Sequence, residues 1–79
     1  MREMEFKMER RELLDVVKEG SVLPVKEYKL PNSYYYILGN AYGASANFKK
    51  KDRLSVLEGT VKTITETEKG FYVVMEFEE

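Results

Sequence analysis

Cysteine and histidine are both absent from this 79-residue chain. Without cysteine there are no disulfides and no thiolate zinc sites. Without histidine there are no imidazole metal sites, and Cys- or His-based catalysis is excluded with them. Long apolar runs are missing too: none exceeds five residues, the longest being Tyr34–Leu38 and Phe71–Met75, so no segment has the length of a membrane span. The charged N-terminus lacks the apolar stretch of a signal peptide. The expectation is one domain over residues 1–79, cytoplasmic and away from membranes. A chain this short buries only ~60–65% of its unfolded surface, so stability must come from a dense core, with oligomerisation as a further source.

The net charge of −1 is unevenly spread. Residues 20–57 carry six Lys and Arg against two acids, while residues 58–79 carry six acids against two lysines. In a small fold this split predicts one basic and one acidic flank.

The clearest pattern lies at the C-terminal end. Residues 58–65 and 71–77 are rich in Val, Ile, Thr, Tyr and Phe and flank a polar Glu68-Lys69-Gly70 turn, the signature of a β-hairpin. A three-residue loop with left-handed Gly70 sets Thr65 against Val73, Thr63 against Met75 and Val61 against Phe77. That register places Phe71, Val73, Met75 and Phe77 on the core face, with Ile64, Tyr72 and Val74 on the other.

Upstream, Met4, Phe6 and Met8 alternate with charged residues, which fits a short strand or the first turns of a helix. From about residue 8 to 19, Leu13, Leu14 and Val17 share a stripe that ends at Gly20, which predicts a helix lying on a sheet. Residues 21–30 resemble an edge strand because Pro24 cannot donate to a ladder. Tyr34–Leu38 follows the Pro31-Asn32-Ser33 turn as a strand. A two-residue Gly39-Asn40 turn then pairs Ile37 with Tyr42 and Tyr35 with Ala44. Residues 49–52 form a charged loop, and alternation resumes over 53–57. Element order therefore predicts an α+β fold: an N-terminal helix, then four or five antiparallel strands in a small curled sheet or an SH3-like or Sm-like half-open barrel.

Candidate chemistry is thin. Glu66, Glu68, Glu76, Glu78 and Glu79 sit at a turn or the chain end, where carboxylates are solvated rather than poised for acid–base work. No spacing resembles a calcium loop. The Gly39–Ser45 stretch lacks the following helix that a phosphate cradle needs. No catalytic, metal or cofactor site is assigned. The most suggestive set is aromatic and basic: Tyr34, Tyr36 and Tyr42 with Lys49, Lys50, Lys51 and Arg53. Exposed rings beside cations hold single-stranded RNA or DNA in small barrels, and Tyr and Arg also anchor protein interfaces. Met4, Phe6 and Met8 offer adaptable apolar surface for a partner or dimer contact. The leading expectation is a non-catalytic interaction module that binds another protein or itself. The alternative is a single-stranded nucleic-acid binder, and an enzyme comes third.

Overall fold

Strict alternation decides the first element. Met4, Phe6 and Met8 point inward and are buried, while Glu3, Glu5 and Lys7 face out, over β1 (Arg2–Met8). The structure, a computed structural model, describes residues 1–8 and 14–79. Five further strands follow: β2 (Val22–Lys29), β3 (Tyr34–Leu38), β4 (Gly43–Ala44), β5 (Glu58–Thr67) and β6 (Gly70–Phe77). All pairings are antiparallel, and the order β1-β4-β3-β2-β5-β6 closes on itself through β6 and β1.

This closed barrel overturns the expected α+β architecture and the half-open SH3-like or Sm-like sheet. The Arg2–Met8 segment is not the first turns of a helix. It forms the strand that joins β6 to β4 and removes both free sheet edges. Closure satisfies the backbone groups that a half-open sheet leaves unpaired. The α-helix predicted over 8–19 is contradicted where that range is described: Met8 ends β1, residues 14–15 are 3-10 helical, and residues 16–20 run through bends and turns. Residues 9–13 lie outside the described residues. Met4, Phe6 and Met8, offered by the sequence as a partner or dimer contact, are core residues instead. Val17 is fully buried and Leu14 packs on the same cluster, so part of the apolar stripe serves the core from a turn.

The C-terminal hairpin forms, with a different register. Its loop has two residues, Glu68 and Lys69, and Thr67 pairs with Gly70. Thr65 lies opposite Tyr72 and Ile64 opposite Val73, whereas Val61 lies opposite Met75. A bulge at Lys62 absorbs the change. Without it, Val61 and Ile64 would fall on opposite faces, because side chains alternate with period two. With it, Val61 is buried and Ile64 packs against the core. The inward set Phe71, Val73, Met75 and Phe77 stands as expected. Gly59 makes room for the last of these, since a Cβ there would lie 2.8 Å from the Phe77 ring.

The middle hairpin also differs from expectation. Four residues, 39–42, connect β3 to β4, and Leu38 pairs with Gly43 and Ile37 with Ala44. Gly39 and Ala41 both take positive φ in this turn, 52° and 63°. Residues 53–57 form no strand, and β5 begins at Glu58. Pro24 is not on an edge: it sits at the end of the short β2–β5 ladder, and its carbonyl accepts the Gly39 N–H at 2.9 Å.

Candidate functional site

One end of the barrel is closed by a side-chain clasp. Tyr36 points inward from β3 and is 0% exposed. Its hydroxyl donates to Glu27 Oε2 at 2.7 Å and accepts the Leu54 N–H at 2.8 Å. Glu27, the direct ladder partner of Tyr36, also receives both arms of the Arg53 guanidinium, Nη2 to Oε1 at 2.7 Å and Nε to Oε2 at 3.2 Å. Arg53 lies over the Tyr34 ring at 4.6 Å. Arg2 donates to the Asp52 and Arg53 carbonyls, and Glu79 accepts from Arg2 and from the Ser55 N–H. These bonds hold the 50–55 segment across the barrel end, and Leu54 plugs it at 5% exposure.

Electrostatics follow from that geometry. The Arg53 guanidinium holds the Glu27 carboxyl below its ordinary range, against the opposing effect of burial, and the Tyr36 hydroxyl adds to the lowering. Burial pushes the Tyr36 phenol up, and the Glu27 carboxylate beside it acts in the same direction. Every partner in the clasp is bonded within it. No buried side-chain nitrogen or oxygen among the described residues lacks a hydrogen-bond partner.

The residues picked out from sequence therefore separate. Tyr34 and Tyr36 are core residues, 8% and 0% exposed. Arg53 is held by Glu27. Tyr42 is half-buried and packs on the core from the 39–42 turn. Met4, Phe6 and Met8 fill the barrel, at 3%, 0% and 0% exposure. Lys49, Lys50 and Lys51 are exposed, as is Arg53, but unlike Arg53 none of the three lysines forms an ion pair among the described residues.

No family model matches the chain, and no curated protein or solved structure does either. Among the described residues no helix is long and apolar enough to cross a membrane, and no three acidic residues converge as metal ligands.

Two surface features went unassigned in sequence reasoning. The first is a groove of about 480 Å³ where β5 leaves β2, floored by Met1, Val22, Val56 and Leu57. Met1, Val22 and Leu57 are 75%, 58% and 49% exposed, and Glu58, Glu76 and Glu78 line the same hollow. These residues are far apart in the chain, so only the β2–β5 and β1–β6 pairings reveal their convergence. The second is the outer face of β2 and β3. There Tyr28 and Tyr35 stack at 5.2 Å with an 11° interplanar angle, and Tyr28 is 41% exposed. Alternation offered this face, because Tyr35 must lie opposite in sense to Tyr34 and Tyr36.

The turn joining β2 to β3 has a character of its own. Leu30 is 37% exposed beside exposed Pro31. Lys29 and Lys50 line a small hollow with them.

Proposed function

We propose that this chain is a non-catalytic interaction module that associates with a second copy of itself. The acidic-rimmed groove of one copy takes the Leu30–Pro31 turn and its lysines from the other. One observation carries this reading: the same molecule exposes an apolar hollow bordered by Glu58, Glu76 and Glu78, and an apolar Leu30–Pro31 turn flanked by Lys29 and Lys50. Neither the three carboxylates nor the two lysines form ion pairs among the described residues. The two surfaces match in both polarity and charge, and complementary charge steers encounter and fixes register. The clasp supports the non-catalytic part, since Glu27, Tyr36 and Arg53 are committed to one another.

Contacts of this size fit a weak or transient association rather than an obligate one. Sedimentation over a concentration series tests it. We expect a concentration-dependent shift that weakens with added salt. Lys50→Glu and Glu76→Lys should each weaken association, and mixing the two variants should restore it through the swapped pair. A protein that stays monomeric at low salt and high concentration overturns the self-association. If that monomer binds a peptide carrying leucine and proline between lysines, the groove serves another protein instead.

A further inference from the structure

We infer that the outer face running from β2 across β3 and β4 to β1 and β6 is a binding platform for single-stranded nucleic acid. It is separate from the groove and from the Leu30 turn, and it does not rest on self-association.

Ladder pairing assembles the platform. Lys26 lies opposite Ile37, Ile37 opposite Ala44, Ala44 opposite Lys7, and Lys7 opposite Tyr72. These five residues form one row across five neighbouring strands. All point outward, because the inward positions on these strands are Val25, Tyr36, Leu38, Phe6, Met8, Phe71 and Val73. Tyr28 and Tyr35 are directly paired one step along the same face, next to Lys26 and Ile37. The row thus begins beside two stacked tyrosines and ends on a third.

Chemistry favours a single strand. Stacked exposed rings leave a free π-face that every base can use, and cations beside them track the phosphates. Strands lie about 4.8 Å apart, so the Lys26 and Lys7 backbones are separated by about 14 Å along the curved surface. That leaves an apolar strip of Ile37 and Ala44 between two cations, wide enough for bases to lie flat. Neither lysine forms an ion pair among the described residues. On β1 the outward carboxylates are Glu5, which is two positions from Lys7, and Glu3, which is taken by Lys62. A duplex keeps its bases stacked inside and has no use for the tyrosine faces.

The experiment is fluorescence anisotropy of the intact protein with a short labelled oligothymidylate and the corresponding oligouridylate at low ionic strength, followed by salt titration. Binding should weaken with salt, and replacing Lys7 and Lys26 together by Gln should lower the log–log salt slope by about 1.4, at about 0.7 per phosphate contact on a single strand. Tyr28→Ala should weaken binding about 5- to 150-fold, the range for one lost stacking contact. The fold should survive this change, with only a small drop in melting temperature from the lost Tyr28–Tyr35 stacking. Three results overturn the assignment. One is no binding at low salt. Another is equal competition by a blunt duplex. The third is binding that ignores Tyr28→Ala and is abolished by neutralising Lys49, Lys50 and Lys51, which would place it on the loop as unspecific charge attraction.

Discussion

The two halves of this barrel are built differently. In the β1–β6–β5 half, ladders run the length of the strands: Arg2–Met8 pairs with Phe71–Phe77, and Thr60–Thr67 pairs with Gly70–Glu76. In the β2–β3–β4 half, only the β2–β3 ladder is of comparable extent. That half joins the first through two thin seams, Val22–Pro24 against Glu58–Thr60 and the single pair Lys7–Ala44. Side chains supply there what the backbone does not. The Tyr36–Glu27–Arg53 clasp, with Leu54 beneath it, ties the second half and the 50–55 segment together. The difference teaches that ladder pairing carries the first half, whereas the second depends on a few polar side-chain contacts.

Removing apolar mass from the first half should have the largest effect. Phe77 is fully buried, and its ring lies against Gly59. Phe77→Ala should destabilise the fold by about 3–5 kcal/mol in denaturant titration, the usual range for a buried aromatic truncated in a core. A loss under 1 kcal/mol would show that the ring is not part of the folding core.

That first half is also the part most legible in sequence. Period-two alternation located Met4, Phe6 and Met8, and the inward set of β6. It did not decide between strand and helix for residues 1–8, because six or seven residues support either pattern. The Lys62 bulge went unseen, although the odd spacing of Val61 and Ile64 requires one if both are to face the core. In the second half the reading was poorer for a physical reason. Tyr34 to Leu38 is apolar throughout, so no polar residue marks the outer face. The pattern therefore offers Tyr34 and Tyr36 as surface rings, whereas Tyr28 and Tyr35 lie on the outer face. The 39–42 loop was misjudged because Ala41, not glycine, takes a left-handed conformation there. The charged loop expected over residues 49–52 is exposed, but Lys50–Asp52 within it forms a short 3-10 helix. Arg53 was not separable from the lysines of this loop, because its partner Glu27 is 26 residues away.

A smaller effect should come from the clasp. Tyr36→Phe keeps the ring and removes the hydroxyl, leaving the Leu54 N–H without its acceptor and Glu27 without one donor. Stability should fall by about 1–3 kcal/mol, the cost of unsatisfied buried polar groups, with the loss concentrated in the second half. A uniform loss across both halves would break the comparison.

The smallest effect is pH-dependent. Glu27 has its pKa lowered in the folded state from an ordinary value of 4.5, chiefly by its bonds from Arg53. A depressed carboxyl pKa contributes stability that is present above the unfolded value and is lost as pH falls through the folded one. Wild type should exceed Glu27→Gln in stability near neutral pH, and the gap should shrink as pH drops below 4.5. Parallel acid melting curves for the two proteins would remove Glu27 from the account.

Native-state hydrogen exchange tests the unequal construction most directly. Amides of β6, flanked by β1 and β5, should exchange only through global unfolding. The Tyr34, Ser45 and Phe48 amides, bonded only within the second half, should exchange through a lower-energy opening, and Tyr36→Phe should lower that opening further while leaving β6 unchanged. Equal opening energies in both halves, falling together in Tyr36→Phe, would contradict the division of the barrel into a ladder-built half and a clasped one.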